Sequence, residues 1–115
     1  MRKFSIRVDE VIQEFCACYE RITLSQLVGK SLVFLRQRVF SGELPVTKYQ
    51  IRHRCDKEMT SVYLTNEEYY IMFNMSLKFN CSRAKIVHIA CYEYIHYLVG
   101  GEYFGILFKT PSKSN

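Results

Sequence analysis

The chain has 115 residues, 49% of them hydrophobic and 15% aromatic, enough for one compact core or two very small units sharing one, and too few for an enzyme with a separate cofactor domain. That apolar content also excludes a wholly disordered chain. A net charge of +5 favours an acidic partner only where it is clustered, yet residues 1–44 carry +2, 45–58 carry +2, 59–100 are neutral and the tail carries +1, so pattern has to decide.

Lys3 to Val8 alternates, with Phe4, Ile6 and Val8 on one side and Lys3, Ser5 and Arg7 on the other, the period of a half-buried strand. Asp9 offers an N-cap to a helix from Glu10 to about Ile22, whose apolar positions Val11, Ile12, Phe15, Cys18, Tyr19 and Ile22 recur at helical spacing. Thr23-Leu24-Ser25-Gln26 has the form of a capping box and opens a second helix to Phe40, with Leu24, Leu27, Val28, Ser31, Leu32, Leu35 and Val39 inward. Ser41-Gly42 and Pro45 end it. Residues 43–58 read as a basic connector, with a short strand expected near 49–51.

The pattern then restarts. Thr60, Val62 and Leu64 alternate with Met59, Ser61 and Tyr63, predicting a second strand. Thr65 or Asn66 caps a helix with Glu67 and Glu68 in its first turn and Tyr69, Met72, Phe73, Ser76 and Phe79 inward. After Asn80-Cys81, Ser82 caps a last helix with Ile86, Ile89, Ala90, Tyr94 and Tyr97 inward, ending at Gly100-Gly101. Residues 103–108 are an apolar run expected either to pack as a strand or to brace the core, and 109–115 should fray. The resulting organisation is a first unit over 1–42, a connector over 43–58, a second unit over 59–100 and an extension over 101–115. The expected class is mainly α with a short antiparallel β-ribbon.

Strand, helix, short turn and helix within about 40 residues, carrying Val62-Tyr63-Leu64-Thr65, Asn80-Cys81-Ser82-Arg83 and Ile89-Ala90, resembles the ribbon-helix-helix family of the Arc, MetJ and CopG repressors. Asn80 stands where that family usually has glycine, a replacement asparagine allows because it tolerates the left-handed conformation, and Ala84 replaces a common polar residue. The resemblance implies a two-stranded ribbon entering the major groove of double-stranded DNA. Met59, Ser61 and Tyr63 would face the bases, and the backbone amides at Ser82 and Arg83 would anchor a phosphate. In the first half Lys3, Ser5 and Arg7 would be the base-reading set, Thr23 the counterpart of Ser82, and Ser31 that of Ala90. The chain then reads as a tandem repeat building its own pseudo-dimeric ribbon, although 15 positions separate Val8 from Thr23 against 18 from Leu64 to Ser82.

The function expected from this is sequence-specific transcriptional repression, with no enzymatic activity. The alternative is a protein-interaction or antitoxin-like module that uses the ribbon to self-associate and residues 103–108 to dock a toxin or other protein. No phosphate loop, nucleophile elbow or metalloprotease helix occurs in the sequence, and neither cofactor nor metal is expected, since no Cys or His pair has zinc-site spacing. Five cysteines without an even framework, no apolar run after Met1-Arg2-Lys3 and no stretch of about 20 apolar residues predict a reducing cytoplasm, beside the nucleoid, and no membrane partner. Cys81, beside a helix start, reads first as an inert turn cysteine, the alternative being a low-pKa thiol that senses oxidation.

Overall fold

The computed structural model describes residues 1–8, 10–44 and 58–99. They form β1 (Arg2–Ile6), α1 (Glu10–Glu14) running on into a π-helical stretch (Phe15–Glu20), α2 (Leu24–Phe40), β2 (Thr60–Leu64), α3 (Asn66–Phe79) and α4 (Arg83–Val99). The class is α+β, mainly helical with one two-stranded antiparallel sheet. The expected cap at Asp9, the strand near 49–51, the stop at Pro45 and the apolar run 103–108 lie outside the described residues.

β1 and β2 oppose each other along their whole length, from Arg2 with Leu64 to Ile6 with Thr60, and Phe4 faces Val62 at the centre. Pairing stops at Ile6, two residues before the predicted end; Val8 is buried in the core from the link to α1 instead. Counted from the last residue of each strand, Ile6 rather than Val8 in β1 and Leu64 in β2, the distance to the second helix cap after it is 17 positions (Ile6 to Thr23) against 18 (Leu64 to Ser82), a difference of one residue, not three.

Helix starts follow their local chemistry. At α2 the Thr23 hydroxyl accepts from the Gln26 amide while the Thr23 amide donates to Gln26 Oε1, and Thr65 and Glu68 repeat that exchange at α3. The Ser82 hydroxyl accepts from the Lys85 amide at 3.1 Å and opens α4. Two helix ends close through left-handed residues, Arg21 and Asn80, both at φ 55°. Asparagine takes that conformation readily, whereas arginine adopts it against a steric cost of about 1 kcal/mol.

The wide turns of the π-helical stretch advance fewer degrees per residue than an α-helix, so the predicted stripe goes out of phase. Phe15 and Cys16 are both buried and Cys18, expected inward, is exposed. In α3 the core takes Ile71, Met72, Met75, Ser76 and Phe79, and Phe73, expected inward, lies 42% exposed. In α4 every residue from Ile86 to Tyr92 is buried, because this helix packs on both α2 and α3 and has no solvated face at mid-length. Tyr97, expected inward, is exposed near its end.

The centre of the core is the crossing of α2 and α4, where Leu27, Val28, Leu32 and Leu35 share one apolar cluster with Ile86, Ile89, Ala90 and Ile95. Ser31 and Ala90 are both completely buried, and the Ser31 hydroxyl has no hydrogen-bond partner among the described residues. α2 and α3 approach closely at Gly29, where a Cβ would stand 2.5 Å from Glu68 Oε2, so only glycine leaves the α3 capping carboxylate its place.

Candidate nucleic-acid interface

The pleat divides the ribbon into two faces. Phe4, Ile6, Val62 and Leu64 turn toward the helices, with Ile6, Val62 and Leu64 fully buried. On the other face Lys3 lies directly opposite Tyr63, and Ser5 opposite Ser61. Lys3, Ser5 and Tyr63 are exposed and Ser61 half-buried, while Arg7 and Met59 are exposed just beyond the end of the ladder. All six sequence-predicted base-reading residues thus lie on or beside one open surface. Two strands side by side span about 5 Å, against a major groove about 12 Å wide.

Several contacts hold this surface in place. The Tyr63 amide, on the free edge of β2, donates to Ser25 Oγ at 2.9 Å, fastening the first turn of α2 to the ribbon. His88 on α4 is nearly buried, with Nε2 3.1 Å from the Arg7 carbonyl oxygen and Nδ1 2.9 Å from that of Ala84. A neutral imidazole can donate to one of these carbonyls, a protonated one to both. His88 therefore fixes the backbone where the chain leaves β1, next to Arg7.

Thr23 and Ser82 start α2 and α4, and their hydroxyls are already engaged in capping. What each helix start can offer an anion is therefore backbone: the amides of Leu24 and Ser25 at α2, and of Arg83 and Ala84 at α4, have no acceptor among the described residues. Arg83 is exposed; its Nη1 donates to Tyr69 Oη at 2.7 Å, and its guanidinium lies 5.9 Å from the Tyr69 ring centroid and 5.8 Å from that of Phe73.

Three contributors escape sequence reading. The strand read from alternation begins at Lys3 and leaves Arg2 out, yet Arg2 opens β1 and its guanidinium lies over the Tyr69 ring, 4.2 Å from the centroid. Tyr69 was predicted as core and is half-exposed. Ser25, inside the capping box, gives no signal of a bond 38 residues along the chain.

Burial raises the Cys81 thiol above its ordinary value of 9.0, and the nearby Lys85 charge only partly offsets it. Desolvation outweighs that charge, so the alternative of an acidified thiol at Cys81 does not hold. Burial also raises Cys16. Among the described residues there is no group of three or more His, Cys, Asp or Glu side chains placed to hold a metal ion, and no helix long and apolar enough to cross a membrane. Comparison with protein-family models, curated proteins and solved structures returns no match to this chain.

Proposed function

We propose that the chain is a ribbon-helix-helix DNA-binding regulator built as an intrachain pseudo-dimer, reading the major groove with the outer face of its ribbon. The observation that carries this is the pairing of β1 with β2, which sets Lys3, Ser5 and Tyr63, all exposed, and half-buried Ser61 side by side on the face away from the core. Repetition supports it. Phe4 and Val62 meet at the ribbon centre, α2 and α4 are both 17 residues long, and each follows a left-handed residue and a hydroxyl cap, Arg21 and Thr23 in one half, Asn80 and Ser82 in the other. Under this relation the one-residue difference is the sum of a first helix three residues shorter (10–20 against 66–79) and a link before it two residues longer (7–9 against 65), and Ser31 and Ala90 become equivalent positions where the second helices cross.

In this reading Lys3 and Arg7 supply the strongest base-edge donors, since arginine can bond guanine O6 and N7 together. Ser5, Ser61 and Tyr63 add hydroxyls, Met59 packs, and the starts of α2 and α4 place free amides and Arg83 against flanking phosphates. Gel retardation of random genomic fragments tests it: binding at low salt should weaken about tenfold or more on going to physiological ionic strength if a handful of phosphates are neutralised. Arg7→Ala should lower the ratio of specific to non-specific affinity, while Arg83→Ala should weaken all sequences alike; identical behaviour of the two variants would refute the assignment of reader and anchor.

A second reading, docking of a protein partner, draws on Tyr70, Phe73 and Leu77, an exposed apolar stripe on α3. Absence of any retardation at low salt would favour it.

A further inference from the structure

We infer that Arg2, Tyr69 and Arg83 form one phosphate clamp, present at one end of the ribbon only, so that the protein sits on duplex DNA in a single orientation. The inference rests on the DNA-binding reading and goes beyond it by naming the residues that break the symmetry of contact. Two guanidinium groups converge on one tyrosine: Arg2 stacks on its ring at 4.2 Å, and Arg83 hydrogen-bonds its hydroxyl at 2.7 Å. Neither arginine has a carboxylate partner among the described residues; the acids near α3 are engaged elsewhere, Glu67 with Arg36 and Glu68 in the Thr65 cap. Two guanidinium groups anchored on one side chain, with no carboxylate beside them among the described residues, offer a site for a shared anion, and a phosphodiester presents two oxygens to planar donors of this kind.

Tyr69 is the positioning residue. It holds both side chains in fixed places before any ligand arrives, which reduces the ordering cost of binding.

Among the described residues the opposite end of the ribbon lacks the device. Through the relation that takes Phe4 to Val62, Arg2 corresponds to Thr60 and Tyr69 to Val11; through that which takes Thr23 to Ser82, Tyr69 corresponds to Glu10 and Arg83 to Leu24. Under either relation no arginine or aromatic residue stands where the clamp would be. Arg21 is the exposed cation nearest that helix start in the chain, and it makes no ring contact or ion pair among the described residues. One backbone contact is therefore preordered and the other is not.

The test uses the full chain and two probes. On a random-sequence 30-base-pair duplex, Arg2→Ala and Arg83→Ala should each weaken binding roughly three- to tenfold and lower the slope of log affinity against log salt by about 0.9. Tyr69→Ala keeps both charges and should still weaken binding several-fold, Tyr69→Phe should recover much of that loss through Arg2, and Arg21→Ala should have the smallest effect. On a site selected from a random library, phosphate ethylation should interfere strongly at one end. Equal interference at both ends, or arginine variants with unchanged salt slopes and unaltered urea midpoints, would overturn the clamp while leaving DNA binding intact. Failure to retain any duplex at low salt would overturn both.

Discussion

Replacing Ser31 by alanine should stabilise the protein. The Ser31 side chain is completely buried where α2 crosses α4, its hydroxyl has no partner among the described residues, and Leu27, Val28, Leu32 and Leu35 of the same helix are equally enclosed. A buried polar group without a hydrogen bond costs about 1–3 kcal/mol, and alanine adds a few tenths through its better helix propensity. Removing one oxygen leaves too small a void to cancel that gain, and an alanine, Ala90 of α4, is already fully buried in the core. The expected net effect is about 1.5–3 kcal/mol. In urea, with a slope of about 1.5 kcal/mol/M for a chain of this size, the midpoint should rise by roughly 1–2 M at unchanged slope. An unchanged or lower midpoint would refute the reasoning, because it would mean that the hydroxyl is satisfied in solution.

Further outcomes follow from other contacts. Arg21→Gly removes a side chain from a left-handed position and should raise the urea midpoint by the equivalent of about 1 kcal/mol; a fall would show that the arginine holds the π-helical stretch closed. Gly29→Ala gains about 1 kcal/mol of helix propensity but displaces Glu68 from its cap, so the net change should lie near zero, whereas in a Glu68→Ala background the same substitution should stabilise by about 1 kcal/mol. A double-mutant cycle showing no coupling between these two sites would contradict the close approach of α2 and α3. Cys16 and Cys81 have folded pKa values raised above 9.0, so the folded state holds their protons more tightly: their contribution is complete below pH 9.0 and is lost as pH rises beyond it. Urea midpoints should therefore fall less steeply above pH 9 in a Cys16→Ala, Cys81→Ala double variant, and a slope identical to that of the parent would count against burial of the thiols.

The sequence carried the local decisions. Thr23 with Gln26 and Thr65 with Glu68 announce two helix starts because a cap is settled within four residues, and α2 ends at Phe40 as its Ser41-Gly42 signal predicts. The strands are legible from alternation alone, and with them the outward set Lys3, Ser5, Ser61 and Tyr63, since a pleat sends successive side chains to opposite faces whatever lies beyond.

Only tertiary structure decided what depends on a second element. Where β1 stops is set by how much of β2 lies opposite, so Val8 leaves the ribbon although its alternation continues. α4 is buried along a run of seven residues because two helices enclose it, which no single periodicity encodes, and the same packing leaves Phe73 and Tyr97 outside. Arg2 and Arg83 are 81 positions apart in sequence and meet only on the ring of Tyr69. Short-range hydrogen bonding and side-chain alternation are properties of neighbouring residues and can be read from them, whereas burial and charge juxtaposition are properties of the surfaces that folding brings together.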